Sequence, residues 1–121
     1  MRALVIDDSR AMRTILGGVL RGLGFEVLEA SNGAEGLARL DGAAKPDLVL
    51  VDWNMPEMNG LDFVKAVRAI PAFDDLRLLV VSTETEMKQV GRALEAGANE
   101  YVMKPFTKAV ILDKLKLLGL A

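Results

Sequence analysis

The chain has no cysteine and no histidine among its 121 residues. Without cysteine there is no disulfide framework and no thiolate chemistry. Without histidine the usual general base and the commonest zinc ligand are gone, and a hydrolytic triad is excluded. Aromatic residues make up only 5%, with one Trp and one Tyr, so Trp53 is a unique optical reporter. Long apolar runs are also missing. Asp, Arg, Gly or Lys interrupts each one well before the roughly 20 residues that a bilayer demands, so no membrane insertion is expected. The 15 basic and 17 acidic residues leave a formal charge of -2, which offers no basic footprint for nucleic acid. The Met-Arg start runs straight into a strand pattern, without the regions of a signal peptide, and this predicts a cytoplasmic location.

What remains is the balance of a globular protein: 51% hydrophobic and 26% charged residues. That composition and length predict one domain over residues 1–121. Strand-like and helix-like segments alternate along it. Ala3 to Ile6, Glu26 to Ala30, Leu48 to Val51, Leu78 to Val81 and Glu100 to Met103 read as strands, three of them apolar throughout, as in sheets covered on both faces. Between them, Met12, Ile15, Leu16, Val19, Leu20 and Leu23 form a helical stripe ended by Gly24. Further helices are predicted from about Ala34 to Leu40, Leu61 to Ile70, Thr85 or Glu86 to Ala96, and Lys108 to Leu118, with Gly42 and Gly97 as stops. Five strand-helix repeats with short connections predict an α/β fold, a parallel sheet with helices on both faces.

The strands stop on polar groups. The first runs into Asp7-Asp8, the third into Asp52, the fourth into Ser82-Thr83 and the fifth into Lys104. In a parallel sheet these ends share one edge, so three carboxylates, a hydroxyl and an ammonium would meet there, a set suited to a divalent cation and a phosphoryl group. Each residue also has a plainer reading. Asp7 and Asp8 could favour a helix N-terminus, Asp52 could cap a turn, and Ser82 and Thr83 could satisfy backbone groups. Trp53, Tyr101 and the methionines could simply fill the core or its rim. Against this, a carboxylate fixed at a buried strand end can act as a nucleophile toward phosphorus. The three acids would repel one another without a cation. The imide before Pro105 is one of the few bonds in the chain where a cis peptide is accessible.

Taken together, Asp7-Asp8, Asp52 with Met55-Pro56 and Gly60, Ser82, and Lys104-Pro105-Phe106 resemble the receiver domain of bacterial two-component response regulators over essentially the whole chain. Trp53-Asn54, Glu84 and Tyr101 resemble in particular its stand-alone chemotaxis members. The resemblance implies a five-stranded, flavodoxin-like sheet in the order 2-1-3-4-5. It also implies that Asp52 is the phosphoacceptor, taking a phosphoryl group from a histidine kinase of the chemotaxis type, a phosphotransfer protein or a small donor such as acetyl phosphate. Mg²⁺ would be held by Asp8, Asp52 and the main-chain carbonyl of Asn54, with Asp7 acting through water. Lys104 and Ser82 would meet the phosphoryl oxygens, and Ser82 and Tyr101 would form the switch, changing the face of helix 4, strand 5 and helix 5 that a downstream protein reads. Thr83 stands where many receivers have Ala, which would restrict access to the acceptor. The chain ends soon after its last helix, so a protein partner rather than an appended DNA-binding module is expected to read the signal, and a monomer is the default.

Three rival readings share the chemistry or the fold. An aspartate-nucleophile phosphatase resembles Asp-x-Asp, whereas Asn54 stands at the third position here. A flavodoxin-type phosphate binder would place Ser, Thr and Gly where Asp7-Asp8 stands. A receiver-shaped scaffold that is never phosphorylated would have no need of the full set Asp7, Asp8, Asp52, Ser82 and Lys104.

Overall fold

The computed structural model describes residues 1–42, 45–83 and 86–121. In chain order the elements are β1 Arg2–Ile6, α1 Arg10–Gly22, β2 Glu26–Ala30, α2 Gly33–Leu40, β3 Leu48–Asp52, α3 Gly60–Arg68, a 3-10 turn Pro71–Phe73, β4 Arg77–Ser82, α4 Met87–Ala96, β5 Glu100–Met103 and α5 Lys108–Leu117. The five strands form one sheet in the order β2-β1-β3-β4-β5, every pair parallel. Glu84 and the earlier of the two predicted starts of α4, Thr85, lie outside the described residues.

Alternation along the strands divides the core into two layers, because successive side chains point to opposite faces. Leu4, Ile6, Val49, Val51, Leu78 and Val80 pack with Leu40, Phe63, Val64, Val67 and Ala93 beneath α2, α3 and α4. Ala3, Val5, Leu48, Leu50, Leu79 and Val81 pack with Leu16, Leu20, Ile111 and Leu115 beneath α1 and α5. Each fully buried Leu, Val or Phe contributes about 1.5–3 kcal/mol, so this two-sided burial holds the central strands in register. The predicted apolar stripe of α1 is borne out at Leu16 and Leu20, but Ile15 remains 52% exposed.

Side-chain caps fix where the helices begin. Ser9, Asn32, Asn59 and Thr107 each accept a backbone N–H three residues on, at the starts of α1, α2, α3 and α5. At α3 the start is further constrained by Gly60, whose N–H donates to the Trp53 carbonyl at 2.8 Å. A Cβ on Gly60 would stand 3.0 Å from both the Asp52 carbonyl oxygen and the Trp53 Cα, so only glycine lets the helix approach the end of β3 this closely.

The ends of α3, β3 and β4 differ from the sequence reading. Helix α3 ends at Arg68, earlier than Ile70, and Pro71–Phe73 then form a separate turn with the proline at its first position and Phe73 buried. Strands β3 and β4 each run one residue further than their apolar stretch, taking in Asp52 and Ser82. At the opposite end of the sheet the Arg68 guanidinium donates to the carbonyls of Gly97, Phe73, Asp74 and Leu76 and to Asn99 Oδ1. Asn99 Oδ1 also accepts the Leu78 N–H. This fan ties the end of α3, the 3-10 turn, the start of β4 and the end of α4 together.

Candidate functional site

Strand register brings the site together. Ile6 lies opposite Val51, so Asp7 and Asp52 follow side by side on β1 and β3. Asp52 lies opposite Val81 and Ser82 opposite Met103, which carries Ser82 and Lys104 to the same edge. Main-chain bonds continue past the strands: Asp7 N–H donates to Ala30 O, Trp53 N–H to Val81 O and Lys104 N–H to Ser82 O. The polar residues are therefore held at this edge by backbone pairing.

Asp7 and Asp52 are buried and Asp8 is exposed, yet one carboxylate oxygen from each lies within 4.8 Å of the others. Asp7 Oδ1 accepts the Ser9 N–H at 2.9 Å, whereas Oδ2 is buried with no hydrogen-bond partner among the described residues. A buried carboxylate oxygen that accepts no hydrogen bond is costly. Here it faces two further carboxylates, and an all-oxygen set of this kind fits a hard divalent cation. The group could therefore hold a metal ion.

One cation of the chain itself enters this acidic site. Lys104 Nζ donates to Asp52 Oδ1 at 3.1 Å and stands 3.7 Å from Asp7 Oδ2. Burial pushes the Asp52 carboxyl up to about 6 and the charge of Asp7 adds to the rise, with Lys104 only partly opposing them. Asp7 is also raised, chiefly by burial and against the Ser9 N–H and Lys104. Burial alone would lower Lys104, but the charges of Asp52, Asp7 and Glu86 outweigh it and raise the ammonium. Such a site keeps a positive group beside a carboxylate that is short of compensation, which suits the binding of an anion carrying several oxygens once a cation is present.

The other expected residues are placed as follows. Ser82 is fully buried at the end of β4, and Thr83 is half-buried just beyond it. Asn54 is exposed two residues after Asp52, and the peptide bond from Lys104 to exposed Pro105 is cis. Trp53 is buried in the layer beneath α2, α3 and α4, which bears out a core position, next to Asp52. Tyr101 is half-buried on β5, with the Lys114 ammonium 4.2 Å from its ring centroid and in turn paired to Glu100 at 3.0 Å.

Sequence reasoning missed Glu86. Its carboxylate accepts the Thr83 N–H at 2.7 Å, while its own N–H donates to the Thr83 carbonyl. A signal was available, because Thr83-x-x-Glu86 is the spacing of a helix capping box.

Comparison with known proteins agrees with this arrangement. Residues 3–116 match the family described as the response regulator receiver domain. The chain is 47% identical over 118 residues to "Chemotaxis protein CheY1" of Helicobacter pylori, covering 97% of this chain and 95% of that one. It is 40% identical over 117 residues to "Chemotaxis protein CheY" of Pseudomonas aeruginosa, covering 96% and 94%. Among solved structures, the chemotaxis protein CheY4 of Vibrio cholerae superposes with a TM-score of 0.88 at 33% identity, covering 97% of each chain.

Proposed function

The chain belongs to the response regulator receiver family, and from that premise we propose that it is a chemotaxis-type phosphorelay protein that accepts a phosphoryl group on Asp52. The observation that carries this reading is the buried Asp52 carboxylate held 3.1 Å from the Lys104 ammonium and within 4.8 Å of Asp7 and Asp8. A carboxylate oxygen of Asp52 attacks phosphorus as the bond to the donor breaks, from a phosphohistidine nitrogen of a partner kinase or from the acyl oxygen of acetyl phosphate. The electron pair leaves with that donor atom. Lys104 pairs with one oxygen of the arriving group and the Ser82 hydroxyl donates to another, so the charge that spreads in the loose transition state is met by fixed partners. The site acts on its own residue, and no external substrate is turned over.

Asp7, Asp8 and Asp52, with the main-chain carbonyl of Asn54, would hold Mg²⁺, whose charge offsets that of the phosphoryl oxygens. Asp7 Oδ2, buried and without a hydrogen bond among the described residues, supports this assignment. Because Trp53 adjoins Asp52 and is the only tryptophan, Mg²⁺ added to metal-free protein is expected to change its emission in a saturable way. An unchanged spectrum at tens of millimolar Mg²⁺ would count against the metal assignment.

Aspartyl phosphate adds roughly 1.5 to 2 negative charges and new acceptor oxygens, enough to draw Ser82 and the start of the following loop inward. Tyr101 is read as the residue that follows this movement, and α4, β5 and α5 as the face presented to a downstream protein. No described helix is long and apolar enough to cross a membrane, which is compatible with a cytoplasmic monomer that diffuses between kinase and target.

Intact mass after incubation with acetyl phosphate and Mg²⁺ tests the proposal. Uptake of one phosphoryl group is expected. No uptake, or multiple turnover of an external phosphoester, would overturn it.

A further inference from the structure

The Thr83 N–H lies one residue beyond Ser82 on the strand beside Asp52, and it is already bound to an anion: Glu86 Oε1 accepts it at 2.7 Å, part-buried. In reciprocal fashion the Glu86 N–H donates to the Thr83 carbonyl at 3.1 Å. The ordinary role of such a pair is to cap a helix, and Glu86 stands immediately before α4. This pair differs from the caps of the other helices: Glu86 is itself the N-cap of α4, and its side chain, instead of accepting an N–H of that helix, reaches back to the strand end beside the site. The register that sets Asp52 opposite Val81 and Ser82 opposite Met103 brings Thr83, next in line, to the sheet edge where Asp52 and Lys104 stand. A phosphoryl group on Asp52 would therefore arrive beside a fourth carboxylate and next to a backbone donor that this carboxylate occupies.

Resting on the receiver reading, we infer that Glu86 is an internal rival of the phosphoryl group: its carboxylate holds the Thr83 N–H in the resting protein and must give up that bond for the phosphorylated site to close. Two consequences follow from charge and position. Glu86 weakens anion binding at Asp52 while favouring cation binding nearby, since one negative charge acts on the two ligands with opposite sign. Its departure also removes one of the two bonds between Thr83 and Glu86 and leaves the main-chain one, so the event at Asp52 is passed through this side chain to a helix on the proposed output face. Glu86 is a positioning residue on this account. It takes no part in the bond making at phosphorus.

The test compares the unmodified protein with Glu86→Gln and Glu86→Ala, each titrated first with Mg²⁺ alone and then with beryllofluoride at saturating Mg²⁺, with binding followed by calorimetry. Glutamine retains an acceptor oxygen for the Thr83 N–H without the charge, and alanine removes both. The expected result is beryllofluoride affinity higher by about three- to tenfold in both variants, the effect of one screened charge. Mg²⁺ affinity should stay unchanged or fall. A purely structural cap predicts a different pattern: no gain in Glu86→Gln, and weaker binding of both ligands in Glu86→Ala. That pattern, or unchanged beryllofluoride affinity in both variants, overturns the inference. If Glu86→Ala does not fold, Glu86→Gln decides alone. Failure of the unmodified protein to bind beryllofluoride overturns the receiver reading and this inference with it, whereas binding by the unmodified protein without a gain in the variants overturns the inference only.

Discussion

Asp52→Asn is expected to abolish phosphoryl uptake from acetyl phosphate and Mg²⁺, leaving the intact mass of the protein unchanged under conditions in which the parent chain gains one phosphoryl group. The amide is isosteric but has no anionic oxygen to attack phosphorus. It also removes one of the three carboxylates that lie within 4.8 Å of one another, so nucleophile and cation site are lost in the same substitution. A reduction of at least about 10³-fold is expected, since loss of the nucleophile leaves only the positioning groups. Lys104→Met should act differently. It leaves the nucleophile in place and withdraws the ammonium 3.1 Å from Asp52 Oδ1, so uptake slows, by about 10²-fold, without vanishing. Equal uptake by Asp52→Asn and the parent would move the acceptor to another residue.

The same substitution is expected to stabilise the metal-free protein at neutral pH. Asp52 titrates at about 6 in the folded chain against an ordinary 3.8, because burial and the neighbouring Asp7 disfavour its charge. Its proton is thus bound more tightly in the folded state. Between pH 4 and 6 the folded chain carries more protons than the unfolded one, so stability falls as pH rises through this window and is fully reduced above it. The gap between 3.8 and about 6 corresponds to roughly 3 kcal/mol at most, and loss of the Lys104 pairing offsets part of the gain. In urea denaturation at pH 7.5 with chelator, Asp52→Asn should exceed the parent by about 2 kcal/mol, and the difference should disappear as pH approaches 4. Saturating Mg²⁺ should stabilise the parent by about 2.7 kcal/mol at a hundred times its dissociation constant and the variant far less. Lower stability of Asp52→Asn in chelator at pH 7.5 would show that the carboxylates are not in conflict.

The arrangement of Asp7, Asp8, Asp52, Ser82 and Lys104 was legible before any coordinates, because strands covered on both faces announce themselves as apolar runs and the residue ending each run marks the sheet edge. Strand order was less legible. It came from the family resemblance, since alternation of strand and helix limits the topology without selecting among orders. The ends of β3 and β4 were read one residue short because hydropathy stops at Asp52 and Ser82, while main-chain pairing does not. The turn Pro71–Phe73 is too short to show a period. Ile15 matched the stripe of α1 in sequence but is 52% exposed, because spacing gives the side of a helix and not the width of its contact. Glu86 escaped notice for a related reason. With the start of α4 placed by apolar spacing, Thr83 counted only as a hydroxyl at a strand end, and the residue three positions on was not weighed as its partner.

Helix α4 is tied down at both ends. Its last turn leads into Gly97, whose carbonyl accepts from an Arg68 side chain with four other acceptors, and no single lost bond would release that end. Its first turn is joined to the sheet through Thr83 and Glu86. With the far end held by this fan, a displacement that begins at Thr83 should be greatest at the near tip of α4 and fade toward Arg68, making the helix a lever whose fulcrum lies at the opposite end of the sheet.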